Sequence, residues 1–372
     1  MKYASEFRER QAAEQLGGKI RHLMGNIGRK ITLMEVCGTH TMVIFRYGIR
    51  QLLPDKLQLL SGPGCPVCVT PNLYLDKAII YSSKNNVIIT TFGDMLRVPG
   101  SKSSLAGESS RGAQIKVVYS SLESLRIAQD NPEKEIIFLA VGFETTAPTI
   151  AASILMAQER NLSNYFVLCA HKLIPPAMQA LIEMGELKVD GFLCPGHVST
   201  IIGSEVYQFL CQDYGIPCVV AGFEPLDVLQ TIYMLLSQIK AGEAKVENEY
   251  KRVVSPQGNP RALELTEQVF ETADSSWRGL GKIKNSGLRI RDAYAQFDIE
   301  RKWPLEMEEE TPNPGCICGQ ILRGLKTPPD CSLFGKTCRP DHPVGPCMVS
   351  QEGTCAAYYR YGQSLPSKVL QS

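Results

Sequence analysis

Through the first 225 residues, short runs of consecutive apolar side chains alternate with stretches of helical period. ITLME (31–35) runs into Cys37-Gly38-Thr39-His40, and LQLLSG (57–62) into Gly62-Pro63-Gly64-Cys65-Pro66-Val67-Cys68. VIITTFGDM (87–95), KVVYS (116–120), IIFLAVGFETT (136–146), YFVLCAH (165–171), GFLCPGH (191–197) and PCVVAGFEP (217–225) read the same way. Each run predicts a strand with no polar alternation, which is the pattern of a parallel sheet covered on both faces. Between them, residues 4–25 predict a helix with Leu16, Ile20, Leu23 and Met24 on one side. A second helix starts near Pro71 and carries Leu75, Ile79 and Ile80. Strand and helix in alternation predict an α/β fold.

The text repeats itself. Cys37-Gly38-Thr39-His40 aligns with Cys169-Ala170-His171, Gly62-Pro63-Gly64 with Cys194-Pro195-Gly196, and Phe92-Gly93-Asp94 with Gly222-Phe223-Glu224. The same order in both halves predicts two similar small parallel-sheet α/β domains, at 30–132 and 133–225. Residues 226–372 are then a third domain, helical and cysteine-rich, and residues 1–29 a helix packing with it. The third domain opens on an amphipathic helix (224–244; Val228, Ile232, Leu235, Leu236, Ile239), followed by a helix at 260–273 and a glycine-rich stretch around Trp277. Ligands of open parallel sheets sit beyond the strands' carboxyl ends, where most of the unusual polar motifs fall, so an inter-domain cleft is the expected site.

Composition narrows the class. The chain has 372 residues, 44% hydrophobic and 21% charged, with a net charge of +1. That balance argues against an electrostatic nucleic-acid or membrane binder. No run of 18 apolar residues occurs and the charged N-terminus lacks a signal-peptide core, so a soluble cytoplasmic protein is expected. Thirteen cysteines in such a chain point to metal ligands and redox thiols.

Six of those cysteines fall between 316 and 355: Cys316, Cys318, Cys331, Cys338, Cys347 and Cys355. Their surroundings are rich in Gly and Pro and poor in apolar periodicity, so the segment needs a staple: a cluster, a zinc ion or disulfides. The gaps after Cys318 are 12, 6, 8 and 7 residues, without the paired C-x2-C knuckles of zinc sites. Loose spacing suits a bulky iron–sulfur cluster better than one tetrahedral ion. Elsewhere, Cys37 is a candidate soft metal ligand with His40 close by, against the plainer reading of a buried thiol beside a capping histidine. Cys65 and Cys68 have the C-x-x-C spacing of a reversible disulfide or of half a zinc site. Asp94, His40 and His197 are expected to line the site. His171, Glu144 and Glu224 read as turn or cap residues, and Cys169, Cys194, Cys211 and Cys218 as core or turn thiols. No G-x4-G-K-[ST] or G-x-G-x-x-G fingerprint is present.

MEVCGTH, GPGCPVC, TTFGDM, GFETT, CPGHVSTIIG, AGFEP and the closing GKTCRPDHPVGPCMVSQEGTC together resemble the HypD family of hydrogenase maturation factors, across almost the whole chain. The resemblance implies a three-domain α/β protein with a [4Fe-4S] cluster. With the small chaperone HypC it would form the scaffold on which iron receives two cyanides and one carbon monoxide. HypE would deliver the cyanide, and the Fe(CN)2CO unit would pass to the large subunit of a [NiFe]-hydrogenase. The family's C-x14-C-x6-C-x16-C pattern selects Cys316, Cys331, Cys338 and Cys355 as cluster ligands. It leaves Cys318 and Cys347 as a thiol pair beside the cluster, an arrangement resembling that of ferredoxin:thioredoxin reductase. Cys37 matches the iron-binding cysteine, Cys65 and Cys68 the central redox pair, and Glu352 a functional acidic position. These expectations describe a scaffold with redox activity more than a turnover enzyme, a monomer forming transient complexes. An iron–sulfur thiol–disulfide reductase and a zinc-stabilised binding module are the rival classes.

Overall fold

A computed structural model describes residues 8–307 and 315–362. Its strands, in chain order, are β1 (Ile31–Glu35), β2 (Leu57–Ser61), β3 (Val87–Thr91), β4 (Gln114–Val117), β5 (Glu135–Ala140), β6 (Tyr165–Cys169), β7 (Gly191–Pro195), β8 (Cys218–Ala221), β9 (Val246–Asn248), β10 (Phe270–Trp277) and β11 (Gly281–Ile290). Two parallel sheets form, ordered β2-β1-β7-β8-β9 and β4-β3-β5-β6, with β10 and β11 a separate antiparallel hairpin. The α/β class with two parallel sheets is as the sequence predicts.

The division between the sheets is not. β1 pairs with β2 and β7, and β3 with β4 and β5, so the boundary at 132–133 cuts through the second sheet. The second sheet is inserted whole between β2 and β7 of the first. Taken in the order the chain supplies them, the strands of both sheets have the arrangement 2-1-3-4, and β9 is an extra edge strand on the first. The two sheets therefore share a topology, but β1, β2, β7 and β8 match β3, β4, β5 and β6, a different correspondence from the motif alignment. The physical reason is that a strand buried on both faces carries no mark of its neighbour, and helical crossovers of similar length can lead into either sheet.

Burial explains the continuous apolar runs. In β1, Ile31 and Leu33 face a core shared with Ile20 and Leu23 of the helix Arg10–Ile27 and with Val228, Ile232 and Leu235 of the helix Pro225–Ala241. Met34 points the other way, into a core shared with Leu60, Phe192 and the cysteine-rich tail. In β5, Ile136, Phe138 and Ala140 face one layer, and Ile137 and Leu139 the other.

The chain after residue 226 is not one helical unit. The helix Pro225–Ala241 packs on β7, β8 and the N-terminal helix, and β9 extends the first sheet, so this stretch completes that sheet's covering layer. The N-terminal helix runs from Arg10 to Ile27; residues 4–7 of the expected span lie outside the described ones. The helix expected at 260–273 ends at Val269, and Phe270–Trp277 turns back as a hairpin with Gly281–Ile290. Among the described residues, the tail adds only short helices, Cys318–Leu322, Pro346–Val349 and Thr354–Tyr361, with a 3-10 turn at Pro328–Asp330. Among the described residues, no helix is long and apolar enough to cross a membrane.

Phe138, wholly buried in the middle of the second sheet, should cost about 3–5 kcal/mol when truncated to Ala. Tyr119, 92% exposed, should change stability by less than about 0.5 kcal/mol. Urea midpoints of the two variants check the contrast.

Candidate thiol and metal centre

Cys37 lies two residues beyond the end of β1, at the start of the helix Gly38–Arg46. Its backbone N–H donates to Glu35 Oε2 at 3.0 Å, and Thr41 Oγ1 donates to the other oxygen of the same carboxylate. Gly38 N–H donates to Gly64 O at 2.9 Å. A Cβ on Gly64 would stand 2.2 Å from Cys37 N, so only glycine lets the turn before Cys65 lie against the Cys37 backbone. From the other side comes the tail. A Cβ on Gly38 would stand 2.5 Å from Glu352 Cβ, and Thr39 Oγ1 donates to Glu352 Oε1 at 2.8 Å. Three segments far apart in sequence thus meet at Cys37.

A cavity of about 260 Å3 opens there, lined by Cys37, Pro66, Phe143, Thr145, His197 and Glu352 among others. The Cys37 thiol is pushed up to about 12, first by burial and then by the Glu352 and Glu35 carboxylates. The N–H groups of Thr39 and His40 favour the thiolate, but neither is hydrogen-bonded to it. Glu35 is itself raised to about 7 by burial. Burial also raises Glu352, and the charge of Asp94 adds to it.

The other expected site residues are placed as follows. His40 does not line the cavity; it is fully buried, its Nε2 is 3.0 Å from Gly222 O, and burial lowers it to about 4. Its ring stacks on Phe223 with centroids 4.8 Å apart, and Phe223 stacks in turn on His197 of the cavity wall at 3.8 Å. Asp94 sits in the short helix Gly93–Leu96 after β3, close enough to Glu352 to act on it, but outside the cavity lining. Cys65 and Cys68 are joined as a disulfide at the start of the helix Pro66–Val69. The helix Pro346–Val349, carrying Cys347, packs on that helix.

All six tail cysteines, Cys316, Cys318, Cys331, Cys338, Cys347 and Cys355, line one small apolar cavity with Ile321, Leu333, Phe334 and Met348. Cys318 Sγ and Cys347 Sγ are 3.2 Å apart. Glycines set this packing: a Cβ on Gly345 would stand 2.9 Å from Cys316 Sγ, and one on Gly353 2.1 Å from Cys347 O. Among the described residues, no three His, Cys, Asp or Glu side chains converge as ligands of a single ion.

The remaining candidates line neither cavity. Glu144 is buried and accepts from Ile174 N–H at 2.9 Å, and Glu224 pairs with Arg8. His171 is buried against Phe270, 3.5 Å from Cys169 Sγ. Cys194 and Cys218 are core thiols of the first sheet, with Cys211 half-buried beside Cys218. Sequence reasoning missed Glu35, although an acid in an otherwise apolar strand was visible in MEVCGTH. It also missed Arg278, beside the tail cysteines, which nothing in the local sequence marks.

Two outcomes follow from these carboxyls. Replacing Glu352 with Gln removes a charge that opposes the Cys37 thiolate, so alkylation of Cys37 at pH 8 should speed up, by roughly tenfold at most; peptide mass spectrometry reads the rate. Glu144 is raised from 4.5 to about 7 by burial, so its contribution to stability is full below the lower value and lost as pH rises through the higher one. Glu144→Gln should remove that loss, and denaturant unfolding at pH 5 and 8 measures it.

The HypD family model, described as "Hydrogenase formation hypA family", matches residues 11–362. The chain is 49% identical to the hydrogenase maturation factor HypD of Azotobacter vinelandii over 370 residues, covering 98% of this chain and 97% of that one. It is 44% identical to the factor of that name from Cupriavidus necator, with 98% of each chain covered. A putative hydrogenase expression/formation protein of Methanocaldococcus jannaschii is 49% identical over 333 residues, 89% of this chain and 92% of that one. With residues 11–362 matched by the family model and 98% of the chain covered by two such relatives, the chain belongs to the HypD family of hydrogenase maturation proteins.

Proposed function

We propose that the chain acts with HypC as the scaffold on which an Fe(CN)2CO unit is assembled, with cyanide supplied through HypE and the product destined for a hydrogenase large subunit. The observation that carries this reading is the meeting of Cys37, the Gly64–Cys65 turn and Glu352 around one cavity. Iron bearing cyanide and carbon monoxide is the cargo, and a soft thiolate is its fitting anchor. Cys37, with its high proton affinity, would give up its proton as iron binds. Glu352 and His197 on the cavity wall would orient what enters.

The donor set of the tail suits a [4Fe-4S] cluster. Each thiolate of a cluster meets a different iron, so six cysteines round one apolar cavity fit it even though, among the described residues, no three converge on a point. Cys316, Cys331, Cys338 and Cys355 would hold it, and when bound it would supply single electrons. Cys318 and Cys347 are both free thiols, and the helix that carries Cys347 packs on the helix of the Cys65–Cys68 disulfide. Thiol–disulfide exchange between the pairs would break the Cys65–Cys68 bond and form one between Cys318 and Cys347, moving two electrons and two protons towards Cys37.

Infrared spectra of the protein purified anaerobically with HypC should show cyanide and carbon monoxide bands, lost in Cys37→Ala. Absence of those bands from the wild type would sink the scaffold reading and favour a thiol–disulfide reductase, and their retention in Cys37→Ala would remove Cys37 as the anchor. Cys318→Ala should keep the visible absorbance of the cluster and abolish hydrogenase maturation.

A further inference from the structure

A third cavity, of about 200 Å3, adjoins that of the tail cysteines, sharing Cys316, Cys318 and Gly345 with it, but shares no lining residue with the Cys37 cleft. Cys318 lines it, with Cys316, Arg278, Arg323, Gln320 and Asn72, whereas Cys347 does not. Among the described residues, no acidic side chain lines it. Arg278 sits at the tip of the β10–β11 hairpin, where Gly279 (φ +81) packs on Gly319; a Cβ on Gly279 would stand 2.3 Å from Gly319 Cα. That close approach brings the guanidinium beside the Cys318 helix. Arg278 Nε and Nη2 donate to Thr70 O at 3.1 and 2.7 Å, and Nη1 to Asn72 Oδ1 at 2.6 Å. Both acceptors, the Thr70 carbonyl and the Asn72 side-chain oxygen, are neutral, so they hold the charge in place without cancelling it. Arg323 is offset in part by Glu186. The cavity is therefore cationic, with a thiol of the Cys318–Cys347 pair at its wall.

We propose that this cavity is the access site for a small anionic thiol, a mercaptocarboxylate, which reduces a Cys318–Cys347 disulfide by attack on Cys318. The inference rests on the reading that these two thiols cycle. The first thiolate bonds to Cys318 Sγ and breaks the Cys318–Cys347 bond, and Cys347 leaves as a thiolate that takes up a proton. A second thiolate attacks the reagent's sulfur, freeing Cys318, which is protonated in turn, and forming the reagent disulfide. Two thiols are oxidised and one protein disulfide is reduced. Reductant would thus reach the pair through this cavity while the iron cargo occupies the Cys37 cleft.

The test uses the whole oxidised protein with mercaptoacetate and its neutral counterpart 2-mercaptoethanol, with rates compared per thiolate. Alkylation after acid quench and peptide mass spectrometry report Cys318 and Cys347. The anionic reagent should be roughly tenfold faster at low salt, and the advantage should fall as salt rises. Arg323→Gln and Arg278→Gln should each reduce the preference; Arg323 does not clamp the Thr70 segment, so its variant stands even if Arg278→Gln misfolds. Equal rates in the wild type, or a preference unchanged in both variants, overturns the inference while leaving the thiol cycle intact. Failure of Cys318 and Cys347 to form a disulfide on oxidation overturns both.

Discussion

Gly64 lies against the peptide before Cys37, and Gly38 lies under Glu352, so three chain segments approach to within a distance that a single Cβ would forbid. Without this backbone contact the Cys65–Cys68 turn could not lie against Cys37, and Glu352 could not reach Thr39; the helix Thr354–Tyr361 adds a second anchor by packing Tyr358 on Phe45. Close approach of this kind also explains why the centre is so deeply buried. Cys37, Glu35 and His40 are all enclosed, and burial is the largest cause of each of their proton-affinity changes.

The nested sheets provide the frame for that contact. Because the second sheet is inserted between β2 and β7, the chain leaves the first sheet just before Cys65–Cys68 and returns to it at Gly191–Pro195. Helices and the hairpin then cover the remaining faces, and the tail fills the gap left beside Met34, Leu60 and Phe192. A segment with little apolar periodicity thereby obtains a core it could not build alone.

Much of this is legible in the sequence. The strands and their polar ends follow from continuous apolar runs, and the chemistry-bearing motifs stand out because Cys, Gly and His interrupt those runs. KVVYS predicts a strand that begins two residues late, since β4 is an exposed edge strand and lacks the apolar run of its neighbours. The spacing before Phe270 predicts helix through 273 because it continues there without a breaker. His40 is expected at the cavity, yet the turn of its helix points it at the carbonyls of Ala221 and Gly222 instead.

Local order in the chain determined the α/β class, the strand positions and where the candidate thiols, imidazoles and carboxyls fall, because these depend on side-chain type and short-range period. Tertiary structure alone decided which strands share a sheet, which thiols face one another and which cavity each one lines. Parallel pairing joins residues distant in sequence through backbone groups that every residue carries, and such groups leave no trace in the order of the side chains.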